Sequence, residues 1–81
     1  MIALEDIFEI EYRGIITKVE TIKLPTQILF KANLINKQPL VLCRATDFNH
    51  AKFWTSVPEG RQKEAEEIGP LIEQYFRSKA I

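Results

Sequence analysis

The stretch Phe8-Glu-Ile-Glu-Tyr-Arg-Gly-Ile-Ile-Thr-Lys-Val19 decides how the chain is read. Phe8, Ile10 and Tyr12 alternate with Glu9, Glu11 and Arg13, the two-residue period of a half-buried strand. Arg13-Gly14 then supplies a short turn in which the glycine takes positive φ without a Cβ clash. A two-residue turn at 13 and 14 sets Tyr12 opposite Ile15, Ile10 opposite Thr17 and Phe8 opposite Val19, all on one side. The other side pairs Glu9 with Lys18. Apolar pattern and charge agree on a single register for an antiparallel hairpin.

Leu24-Pro25-Thr26 interrupts the next run, because proline has no ladder donor and holds its predecessor extended, so the second connection falls there. A third strand is expected from Gln27 to Leu34. Closing the following turn on Asn36-Lys37 sets Phe30 opposite Cys43, Ala32 opposite Val41 and Ile28 opposite Ala45. Asp47-Phe48-Asn49-His50 reads as a loop, and Ala51 to Val57 as a fifth strand in which Phe53 and Val57 alternate with Trp54 and Ser56.

From Pro58 the period becomes helical. Ala65, Ile68, Leu71, Ile72, Tyr75 and Phe76 fall on one stripe, with Glu59, Glu64, Glu66 and Glu67 near its start and Arg77 and Lys79 near its end, as a helix dipole favours. Ser56 is a candidate N-cap with Pro58 in the first turn, or Gly60 delays the helix to about Arg61. Gly69-Pro70 lies within the stripe; the pattern continues in phase across Pro70, which predicts one kinked helix rather than two.

These readings combine into a single α+β domain over residues 1–81. An antiparallel β-meander of four or five strands occupies about 5–57, and a C-terminal, Pro-kinked helix over about 58–79 packs on one face of it. Composition agrees. At 81 residues the chain is too short for two cores, and 46% hydrophobic with 27% charged residues excludes a highly charged disordered chain. Eleven basic residues balance eleven acidic ones, so no global field draws the molecule to nucleic acid or an anionic membrane. The single cysteine, Cys43, has no intramolecular partner. Met1-Ile-Ala-Leu-Glu-Asp6 lacks the basic start of a signal peptide, and no apolar run reaches membrane-spanning length, so a cytoplasmic chain with no membrane contact is expected.

Function enters through an asymmetry: one helix covers one face of a sheet. In the register above, Ile7, Ile16, Ile22, Leu29, Leu40, Leu42 and Trp54 fall on the uncovered side, interrupted by Glu9, Glu11, Lys18, Lys31 and Arg44. The expected function is a noncatalytic protein-interaction or self-association domain, with Ile7, Ile16, Leu29, Leu40, Leu42 and Trp54 as its interaction face. The expected partner is a second copy in a homodimer, or another protein. The bland alternative is that the loop at 21–27 folds over these residues.

Two other readings are weaker. Trp54 with Lys18, Lys31, Arg44 and Lys52 suggests a single-stranded nucleic-acid module, but Glu9, Glu11 and Glu20 share that side, so nucleic acid is disfavoured as a partner. Cys43-x3-Asp47-x2-His50 holds groups that ligate zinc or activate a thiol. The chain has no second Cys or His to complete a metal site, however, and a small buried thiol, a turn aspartate and a solvated histidine account for all three. The joint from Phe53 to Gln62 offers Gly60 and free helix-start amides to an anion, but nearby glutamates oppose this and no nucleotide-binding or nucleophile-elbow pattern is present. No catalytic residue, metal or cofactor is therefore expected.

Overall fold

In the computed structural model, which describes residues 6–79, the first hairpin forms in the expected register. β1 (Ile7–Tyr12) and β2 (Ile15–Lys23) pair Tyr12 with Ile15, Ile10 with Thr17, Phe8 with Val19 and Glu9 with Lys18. Arg13 and Gly14 have φ of 53° and 77°, the doubly left-handed turn whose twist suits tight hairpins. Of the acidic N-terminal stretch, all but Asp6 lies outside the described residues. β3 (Ile28–Asn33), β4 (Leu40–Thr46) and β5 (Lys52–Ser56) extend the meander, so strand order is sequence order. α1 (Gln62–Lys79) then packs across one face.

The β3–β4 pairing differs from the expected one by a single residue. Phe30 stands opposite Leu42 and Ala32 opposite Leu40, not opposite Cys43 and Val41. The connection is centred on Asn36 alone, at φ 59°, rather than between Asn36 and Lys37. Because side chains alternate with period two, this offset turns the whole of β4 over, and β5 follows it through the Leu42–Ser56 and Arg44–Trp54 pairs. Leu40, Leu42 and Trp54, expected on the open face, are instead in the core at 1%, 0% and 7% exposure. Val41, Cys43 and Phe53, expected inward, take the open face. Burying two leucines and a tryptophan removes more apolar surface from water than burying a valine, a cysteine and a phenylalanine, which favours the observed choice.

The helix starts at the later of the two expected positions. Ser56 still serves it, from a distance: its hydroxyl accepts the Arg61 amide at 3.0 Å and donates to the Pro58 carbonyl at 3.0 Å. Arg61 ties the helix start to the β3–β4 connection, donating to Gln38 and Pro39 carbonyls and, through two nitrogens, to Glu64. Pro70 lies on the exposed side of a helix that is continuous from Gln62 to Lys79. Ala65, Ile68 and Ile72 are fully buried against the sheet, with Leu71, Tyr75 and Phe76 packed beside them, as the stripe implies. Phe8 anchors the β1 side of this core, stacked on Tyr75 with centroids 4.4 Å apart and edge-on to Phe76 at 4.9 Å.

At Gly69 the helix backbone lies directly against a side chain of the sheet. A Cβ built there would overlap Cγ, Cδ1 and Cδ2 of the Trp54 indole, so only glycine lets the ring lie against the helix. At the other end of the sheet, the Tyr12 hydroxyl donates to Glu67, and Arg13 donates to both Glu67 oxygens at 3.0 and 3.2 Å. The hairpin turn is thereby fastened to the middle of the helix.

Two outcomes follow from this packing. Gly69→Ala gains about 1 kcal/mol of helix propensity but forces a methyl into an aromatic ring, an overpacking cost of about 1–3 kcal/mol or more, so the variant is expected to be less stable in urea unfolding. In a Trp54→Leu background the same change is expected to be neutral or stabilising. The second outcome concerns acid. The Tyr12 hydrogen bond, with Arg13, holds the Glu67 carboxyl below its ordinary pKa, and the Arg61 guanidinium does the same to Glu64. A carboxyl lowered on folding stabilises fully above its unfolded value of about 4.3 and loses that contribution as pH falls through the folded value. The urea midpoint is therefore expected to hold above that pH and drop below it, less steeply in Glu64→Gln/Glu67→Gln.

Candidate functional site

Among the described residues no element covers the face of the sheet opposite α1. Its side chains lie in rows across the strands. One row is Ile22, Leu29, Cys43 and Thr55, from the Ile22–Leu29 and Cys43–Thr55 pairs with the β3–β4 register continued one step. The next is Ile7, Glu20, Lys31 and Val41, and on the other flank Ala45 stands opposite Phe53. Val57 extends the second row, its amide donating to the Val41 carbonyl at 2.8 Å. The result is an apolar cluster over β3, β4 and β5, with Phe53 at 41% and Val57 at 38% exposure.

Of the residues expected on the interaction face, Leu29 is at the centre of this cluster and Ile7 is at its margin, diagonal to Ile22. Ile16 is set apart beyond the row of Glu9, Lys18 and Asn33. Leu40, Leu42 and Trp54 are on the opposite side of the sheet. Val41, Cys43, Ala45, Phe53 and Val57 take their place, all missed because β4 was read one residue out of register. Among the described residues, four of the five charges on this face come in opposed pairs, Glu9 facing Lys18 and Glu20 meeting Lys31 at 3.8 Å, while Glu11 stands opposite Ile16 at the margin away from the cluster. Trp54, on which stacking of a single strand would rest, shares the helix-covered side with Arg44 and Lys52.

The Cys43, Asp47 and His50 motif is not drawn together. Cys43 is buried among its neighbours on the open sheet face. Asp47 is engaged by its own loop, its Oδ1 accepting the amides of Asn49 at 2.8 Å and Ala51 at 3.0 Å. His50 is exposed at φ 65°. Among the described residues no group of three His, Cys, Asp or Glu is placed to hold a metal ion. Nor is any helix among them long and apolar enough to cross a membrane.

A second feature arises on the helix side. α1 is about 27 Å long and about 10 Å across, whereas five strands make a sheet about 24 Å wide, so a single helix leaves part of its own face open. Beside its C-terminal half lies a cleft of about 700 Å³. Of its lining, Phe30 and Ile72 are buried and Phe76 half-buried, whereas Ile28, Arg44 and Arg77 are more exposed and, with Glu73, stand at its mouth. Glu73 organises that mouth. Its Oε1 accepts the Trp54 indole N–H at 2.7 Å and lies 3.4 Å from Arg44 Nε, while its Oε2 lies 3.6 Å from Arg77 Nη2. The helical spacing of Glu73 and Arg77 is visible in the sequence, but Arg44 and Trp54 join them only in the observed register.

Protein-family models, curated proteins and solved structures were compared with the chain, and none matches it. The functional reading therefore rests on these surfaces alone.

Glu73 is expected to be structural as well as superficial. Glu73→Ala removes the acceptor from the part-buried indole N–H of Trp54, a loss of about 1–3 kcal/mol in urea unfolding. Glu73→Gln keeps an oxygen for the indole and is expected to cost less.

Proposed function

We propose that the chain is a noncatalytic interaction domain that pairs with a second copy of itself through the helix-free face of its sheet. The observation that carries this reading is the contiguous apolar cluster of Ile22, Leu29, Val41, Cys43, Ala45 and Phe53 on a face with no cover among the described residues. Exposed apolar patches of several hundred Å² on soluble domains commonly mark interaction surfaces.

Three considerations favour a second copy as the occupant. A two-fold pairing needs a surface compatible with itself, and here the apolar cluster carries no charged side chain while Glu9 with Lys18 and Glu20 with Lys31 offset each other, with Glu11 at the far margin, so apposition brings no block of like charge onto the cluster. Sheets pack well face to face at a spacing of about 10 Å. The sheet edges are poorer sites: β1 carries Glu9 and Glu11 along its length, and β5 has only five residues before the Val57-Pro58 bond. In such a dimer, Leu29 acts as the central anchor with Phe53 beside it on the flank, and the β1–β2 charges form the rim.

Sedimentation of the purified chain over a concentration series tests this directly. A concentration-dependent dimer is expected, and Leu29→Glu or Phe53→Glu is expected to shift it to monomer, weakening association at least about tenfold while the fold is kept. A wild-type chain that stays monomeric at high concentration would sink the proposal. A dimer indifferent to both substitutions would place the interface elsewhere and sink it equally.

A further inference from the structure

The cleft beside the C-terminal half of α1 has the build of a ligand site, and it lies across the sheet from the face discussed above. We propose that it binds a small unbranched monocarboxylate, with the carboxylate on the solvent-exposed donors of Arg44 and Arg77 that Glu73 leaves accessible and the aliphatic tail over Ile28 and Phe76.

Charge identifies the head group. Arg44 and Arg77 carry two positive charges against the single negative charge of Glu73, which leaves the mouth one charge positive, the complement of one carboxylate. Each guanidinium carries five N–H donors in a planar fork, more than the two oxygens of Glu73, one of which also accepts the Trp54 indole, can take up; the ion pairs are 3.4 and 3.6 Å. The two arginine side chains are 48% and 80% exposed, which leaves donors accessible from solvent. Glu73 in turn is held by the Trp54 indole at 2.7 Å, so the charges it gathers stand on the rigid helix–sheet contact and not on a loop. Thr26 and Gln27 are also on the lining and add polar groups to it.

The walls identify the body. Ile28 is 39% exposed and offers aliphatic surface at the opening, with the half-buried Phe76 also on the lining, while Ile72, at 1% exposure, only backs the cleft. Phe30 and Trp54 are 8% and 7% exposed, and the Trp54 ring is turned against Gly69, so neither presents a free face for stacking a base or a planar ring. A volume of about 700 Å³ falls within the range of small-molecule sites, and an open apolar trough with a charged lip suits a flexible chain with one ionised end.

The probe is sodium decanoate below its micelle concentration, titrated into the full chain and followed by calorimetry and by the NMR shift of the Trp54 indole N–H. The controls are 1-decanol, which keeps the tail without the charge, and acetate, which keeps the charge without the tail. Decanoate is expected to bind one to one and at least about tenfold more tightly than either control, the scale of a charge-assisted contact. Arg44→Gln and Arg77→Gln are each expected to weaken it about tenfold, whereas Phe53→Glu, on the opposite face, is expected to leave it unchanged. Absence of decanoate binding, equal binding of 1-decanol, or an affinity unaffected by both arginine replacements would overturn the assignment. Thermal melts of the two arginine variants separate loss of binding from loss of fold.

Discussion

The indole of Trp54 lying against the backbone of Gly69 is the contact on which this structure turns. It brings α1 close to β5, and with Trp54 inward, Ser56 must also face inward, where its hydroxyl receives the Arg61 amide at the helix start. Through the Arg44–Trp54 and Leu42–Ser56 pairs, the same choice commits β4 to presenting Leu40 and Leu42 to the helix. The indole N–H, part-buried by this arrangement, needs an acceptor and finds it in Glu73, one helical turn beyond Gly69. One aromatic side chain thus sets strand orientation, helix placement and the position of a surface carboxylate.

A second constraint is the size of the helix relative to the sheet. A single helix can cover neither both faces nor the full width of one, and the two surfaces it leaves differ in chemistry. The opposite face is broad and apolar at its centre, with paired charges toward β1, the composition of a surface that another protein surface can cover. The flank beside α1 is concave and narrow, with two guanidiniums at its lip, the composition of a small-ligand site. Because these surfaces lie on opposite sides of one sheet, the two proposed roles can be tested by separate substitutions.

The hairpin at residues 8–19 was legible because independent signals agreed there: alternating apolar residues, a glycine turn and an opposed Glu9–Lys18 pair. The helical stripe was legible for a similar reason, since Ala65, Ile68 and Ile72 recur on one face. Leu40-Val-Leu-Cys43 was not, because four consecutive apolar residues carry no period-two signal, and either face of β4 gives an apolar row. Phe53-Trp54 poses the same ambiguity in β5. With a left-handed Asn36 at the centre of the connection, the turn admitted a register one residue from the expected one, and nothing local distinguished the two.

By itself, then, the amino-acid sequence determined the order and kind of the elements, the first hairpin and the buried stripe of the helix, all of which depend on neighbours close along the chain. Only the tertiary structure decided which sides of β4 and β5 are covered, and so which residues form the open apolar face and which line the cleft. The physical reason is that both faces of those strands are greasy enough to bury. The choice falls to long-range packing, where the larger volume of Leu40, Leu42 and Trp54 and the bare backbone at Gly69 make the closer fit.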